Sequence, residues 1–183
     1  LTKGPNTKTL AINYAASAAA AVPAQTIWHT GISDGSAAIA LDDDYYVVAD
    51  DELNNLYVHS RKESGLPLKS YNYAGSLGLP DGTAEETDLE GGTRSTTVNG
   101  RFYWIGSMGN GKSPNFSRKT NRNRIFATTI SGTGAATSFS VVGYYATLRE
   151  KIIAWGDANG YNFTAGAAAG KDSKTIDGFN VEG

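Results

Sequence analysis

Between Asp34 and Tyr144 the chain is cut into strand-length pieces, each closed within a few residues by a Gly, Asn, Asp or Pro turn signal. Nothing in that span carries the sustained three- and four-residue apolar spacing of a helix, so the pieces must pair with one another. The first set is Ser36–Leu41, Tyr45–Ala49, Asn55–Ser60 and Leu66–Tyr73, with acidic and Lys62-Glu63-Ser64-Gly65 turns between them. A second set follows: Asp88–Ser95, Arg101–Gly106, Arg124–Ile130 and Thr137–Tyr144. Asn99-Gly100 supplies a two-residue hairpin turn between its first two members. Met108–Asn123 is a long insertion in the same set. The 22 glycines and 10 tyrosines, with Thr, Ser and Asn between the apolar runs, are the texture of a β protein with many tight turns.

Two sets of four strands, the first in roughly 40 residues and the second lengthened by its insertion, match the arithmetic of propeller blades. The expected class is therefore all-β and β-propeller-like, within a unit spanning 32–183. One blade covers about 34–73 and a second about 86–144. A helix and loop follow over 145–176, and a third blade starts at 177–183. Tyr144, Tyr145, Leu148, Ile152 and Trp155 recur at helical steps, which predicts one short helix over 146–155, stopped by Gly156. Asn180-Val181-Glu182-Gly183 echoes Asp88-Leu89-Glu90-Gly91. That echo implies a larger propeller, whose remaining blades come from the same chain or from another copy, with self-assembly as a consequence. Residues 1–31 read as a separate N-terminal piece: a strand at Lys8–Tyr14, a small-residue connector at Ala15–Pro23 and a strand at Gln25–Thr30.

Composition excludes several functions. The 183 residues, 40% of them hydrophobic and 19% charged, suffice for a real core. A formal net charge of −2 creates no field that gathers nucleic acid. Without cysteine there are no disulfides, thiolate metal sites or thiol nucleophiles. No run reaches the roughly 18 apolar residues of a membrane span. The start at Leu1, without an initiator Met or a basic leader, predicts a processed chain that is secreted, extracellular or at the cell surface, the periplasm included.

Gly106-Ser107-Met108-Gly109-Asn110-Gly111-Lys112-Ser113 has the spelling of a phosphate-binding loop, yet Pro114–Asn121 has no apolar stripe to dock the helix such a loop must open. It reads as a Gly-rich hairpin loop, and no nucleotide-binding residue is expected. The Glu-Gly turns matter more. In a propeller the innermost strand of each blade faces the central channel, so Glu90, Glu182 and Asp88 are the expected metal ligands, with Ca2+ as the ion hard carboxylate oxygens suit. The bland alternative has these carboxylates capping backbone amides. Asp42-Asp43-Asp44 and Asp50-Asp51-Glu52 read first as solvated turns. Arg122, Arg124 and Trp104 are candidate ligand contacts, although pairing of the arginines with the acidic turns accounts for them equally well. The only two histidines, His29 and His59, lie in different segments, and nothing near either supports a catalytic triad.

Five motifs, in order, resemble an uncharacterised bacterial propeller family, a domain of unknown function similar in pattern to the esterase-like phytases. They are Asp50–Leu56, Asp88–Gly91, Tyr103–Gly109, Lys119–Thr128 and Asn180–Gly183. Met108 stands where the family has His, and Lys119-Thr120 where it has Arg-Pro. The resemblance spans about Asp34–Gly183 and implies a propeller; the family brings no assigned reaction. The function expected from the sequence is a secreted or cell-surface binding or assembly module. A metal-dependent phosphoester or carboxyester hydrolase, and a subunit of an extracellular filament, are the alternatives.

Overall fold

The computed structural model describes residues 26–182, so the expected strand at Lys8–Tyr14 and the connector at Ala15–Pro23 lie outside the described residues. Two four-stranded antiparallel sheets follow one another along the chain, each a simple meander. The first contains β1 (Gly35–Ala40), β2 (Tyr45–Asp50), β3 (Asn55–Ser60) and β4 (Lys69–Asn72). The second contains β5 (Leu89–Arg94), β6 (Arg101–Gly106), β7 (Ile125–Ser131) and β8 (Ser138–Tyr145). All eight lie where turn spacing predicted strands.

The burial pattern explains the pairing. The central strands β2 and β3 carry Val47, Val48, Leu56, Tyr57 and Val58, mostly β-branched or aromatic side chains buried in the sheet. Along β6 and β7 burial alternates: Phe102 and Trp104 on one strand, and Phe126, Thr128 and Ile130 on the other, point inward. These side chains meet Val47, Ala49, Leu56, Tyr73, Leu77 and Leu89 in one core that both sheets share. Burying each large member contributes about 1.5–3 kcal/mol, which a single small sheet could not supply. The first strands of the two sheets, β1 and β5, lie in contact.

The sheets repeat one another in detail. In each, the first strand carries a bulge at its second residue, Ser36 in β1 and Glu90 in β5. In each, the residue after the second strand donates its amide to the residue before the first. Asp51 N–H reaches the Asp34 carbonyl at 3.0 Å, and Ser107 N–H reaches the Asp88 carbonyl at 2.8 Å. Asp34 thus corresponds to Asp88, and Asp51 to Ser107.

A helix, α1 (Leu148–Ala158), forms where the periodicity predicted one, but Gly156 does not stop it. Gly156 is a packing site: a Cβ there would lie 2.0 Å from the ring of Phe163, which starts the single-turn helix α2 (Phe163–Gly166). The actual end comes at Asn159, with Gly160 at a positive φ of 82°. One turn is too short to show periodicity, which is why α2 was invisible in the sequence. Of the expected strand at Gln25–Thr30, the described part makes one isolated bridge, His29 with Gly65. Residues 177–182 form no strand; Val181 N–H donates to the Ser107 carbonyl at 2.6 Å. Among the described residues no helix is long and apolar enough to cross a membrane.

Candidate metal centre

Two departures from regular backbone stand side by side at the start of β5. Asp88 adopts a left-handed conformation, φ 52°, uncommon for a non-glycine residue. Glu90 is the extra residue of the β5 bulge, paired with neither Gly106 nor Ile105. Bulges re-aim side chains, and here Leu89 stays in the core while acidic residues flank it. The turn after β2 brings Asp51 to the same place. Oxygen atoms of Asp51, Asp88 and Glu90 lie within 4.8 Å of one another, the span that an ion with bonds of about 2.4 Å can bridge.

A buried asparagine fixes the distance between the two halves of this triad. Asn54, three residues past Asp51, donates its amide to the carbonyls of Thr83 (3.1 Å) and Glu85 (2.9 Å). Its Oδ1 accepts from the backbone N–H of Thr87 at 3.0 Å and from the Thr87 hydroxyl at 3.1 Å, one residue before Asp88. Gly106 makes the crossing possible: a Cβ there would fall 2.4 Å from the Arg122 carbonyl and 2.5 Å from that of Thr87.

The carboxylates are only partly compensated. Arg122 Nη1 pairs with Asp88 Oδ2 at 2.8 Å, and its Nη2 with Glu86. Ser107 adds a hydroxyl donor to Asp88. Burial raises the Glu90 pKa to about 7, helped by the charges of Glu182, Asp88 and Asp51 and opposed by Arg122. Asp51 is raised as well, by burial and then by Asp88. Its Oδ1 is buried and has no hydrogen-bond partner among the described residues. These residues face a cavity of about 690 Å³ whose other walls come from the loop after β6, from Arg122 and Lys174, and from Asn180 and Glu182.

Of the residues singled out from sequence, Glu90, Asp88 and Glu182 therefore share one cavity, with Glu182 outside the tight triad. Arg122 forms part of its wall, and its Nη1 also donates to the Asn110 carbonyl at 3.0 Å. Arg124 and Trp104 stand elsewhere. Arg124 donates to the carbonyls of Leu77 (3.0 Å) and Gly78 (2.7 Å), and its guanidinium lies over the Tyr144 ring. Trp104 is 1% exposed in the shared core, with its indole N–H donating to the Thr128 hydroxyl at 3.0 Å. Neither lines the carboxylate cavity; the Asn121–Arg124 run is a buried clasp for the linker between the sheets.

Asp51 belongs to the site although the sequence read it as part of a solvated turn. Its signal was the acidic doublet at the end of β2, which becomes informative only when the sheets are aligned and Asp51 falls where Ser107 does. Asp42–Asp44 behave as turns: Asp42 Oδ1 accepts the amides of Asp44 and Tyr45, each at 2.8 Å. The loop with phosphate-loop spelling opens no helix; it runs into a hairpin closed by a bridge between Asn110 and Arg118. Met108 is fully buried, at a positive φ of 57°. No family model, curated protein or solved structure matches the chain.

Proposed function

We propose that this chain is a binding module of β-propeller type, secreted or at the cell surface, whose acidic cavity takes Ca2+ and through it an oxygen-rich ligand. One observation carries the reading: three carboxylates from two separate sheets converge on a point, with the Asp51 Oδ1 buried and unpartnered among them. Asp51, Asp88 and Glu90 would hold the ion, and Glu182 is close enough to add charge. Hard oxygens without a nitrogen or sulfur donor favour Ca2+ over transition ions. When bound, the ion neutralises the cavity and offers open coordination positions to a ligand. The propeller reading is supported by the successive four-stranded meanders, the contact of β1 with β5 and the repeated bulge. In that arrangement further blades, from the same chain or another copy, would complete the ring around the carboxylates. Calcium titration of the full chain by calorimetry tests the site: saturable binding in wild type, lost in Glu90→Gln, is expected, and equal heats from both would remove it.

A second reading is a phosphoester or carboxyester hydrolase. It is favoured by Lys112, Arg122 and Lys174 lining the same cavity as the carboxylates, in a volume that fits a small anionic substrate. Calcium-dependent release of nitrophenol from nitrophenyl phosphate or acetate, absent in Glu90→Gln, would replace the binding module with an enzyme.

A further inference from the structure

The only two histidines of the chain, 30 positions apart, meet on the first sheet. Their rings lie edge to face with centroids 4.9 Å apart. Tyr46, paired with His59 across β2 and β3, stacks on His59 at 5.6 Å and meets His29 at 5.5 Å. His59 is 0% exposed, and neither of its ring nitrogens has a hydrogen-bond partner among the described residues. A buried imidazole normally satisfies at least one nitrogen, because leaving a buried polar group unmatched costs about 1–3 kcal/mol. A neutral imidazole always carries one ring nitrogen with a lone pair, the atom that ligates a metal.

His29 is brought there by a short segment laced to the turn before β4. Trp28 N–H donates to the Ser64 hydroxyl at 3.0 Å, Gly65 N–H to the Trp28 carbonyl at 3.0 Å and Thr30 N–H to the Gly65 carbonyl at 3.2 Å. The segment is thus held in register with the sheet at the position that sets His29 against His59.

We propose that His29 and His59 form a second metal site, separate from the carboxylate cavity, that takes a borderline divalent ion such as Zn2+, Ni2+ or Cu2+. Two imidazoles without a carboxylate select such ions over Ca2+ or Mg2+. Binding would staple the segment around His29 to the first sheet, since a ligand that binds only the folded arrangement stabilises it.

The test is Ni2+ titration of the metal-free full chain by calorimetry, with Cu2+ electron paramagnetic resonance to count nitrogen donors. Wild type should take one equivalent and show two-nitrogen coordination. His29→Asn, at a half-buried position that leaves the core intact, should weaken Ni2+ binding by more than the roughly 100-fold upper end of what loss of a mere outer-shell partner costs. Glu90→Gln should leave it unchanged. Urea melts of the variants confirm that they are folded. A wild-type chain that takes up no Ni2+, a His29→Asn chain that binds equally well, or binding that follows Glu90 instead would each overturn the proposal.

Discussion

Replacing Glu90 by Gln should make the metal-free protein more stable at neutral and higher pH, and leave it unchanged in acid. Burial, reinforced by Glu182, Asp88 and Asp51, raises the Glu90 pKa to about 7, from an ordinary value of 4.5 in the unfolded chain. Between those values the folded protein holds a proton that the unfolded chain has released. The native state binds more protons, so stability falls as pH rises through this window. Below it Glu90 is neutral in both states and costs nothing; above it the full penalty is present. A shift of that size is nominally worth about 3 kcal/mol. The carboxylate is only half-buried, however, and its remaining contact with solvent reduces the figure to about 1–1.5 kcal/mol. Glu90→Gln should therefore gain about 1 kcal/mol at pH 8, or about 2–4 °C in Tm for a domain of this size, and nothing at pH 4. Thermal and urea melts across that range in chelator give the comparison. Millimolar Ca2+ should reverse the order, stabilising wild type and not the variant. A stability difference that does not change with pH would refute the electrostatic reasoning, because a carboxylate strained by its neighbours must titrate.

Three further substitutions probe the parts that build the site. Asn54→Ala removes the bonds linking the Asp51 turn to Thr87, and should cost about 2–4 kcal/mol in urea melts while weakening Ca2+ binding. Arg122→Met leaves Glu86 and Asp88 without their shared buried cation, and should cost about 3 kcal/mol at pH 7. The loss should shrink in acid as Glu86, whose pKa burial raises, protonates; an equal loss at pH 4 would assign Arg122 a packing role only. Gly156→Ala should destabilise by about 1–3 kcal/mol because the Phe163 ring occupies the Cβ position, against the gain of up to about 1 kcal/mol that alanine brings to an exposed helix. Stabilisation by this change would show that α2 yields freely.

The strands were legible because turn chemistry and alternation are local. Gly100, at a positive φ of 70°, turns the chain where Asn99-Gly100 predicted it, within a six-residue connection from β5 to β6, and the alternating burial of β6 can be read from Phe102 and Trp104 without knowing their partners. The helix was legible for the same reason, apart from its end, since a glycine that stops a helix and one that admits a neighbouring ring have the same spelling. Arg122, Arg124 and Trp104 were less so. Side-chain chemistry advertises a charged or aromatic surface, whereas the fold spends Arg124 and Trp104 on internal hydrogen bonds and packing and divides Arg122 between the Asn110 carbonyl and the cavity wall.

By itself, then, the sequence determined two four-stranded sheets, a short helix and the acidic strand entry at Asp88–Glu90 that reaches the cavity. Tertiary structure decided which acids share that cavity, that Asp51 joins them, and that the two histidines meet. Those relations join residues 30 or more positions apart in the chain. Strand-to-strand register can follow from a turn, but contacts between separate sheets are set by how their common core packs, and no local pattern carries that information.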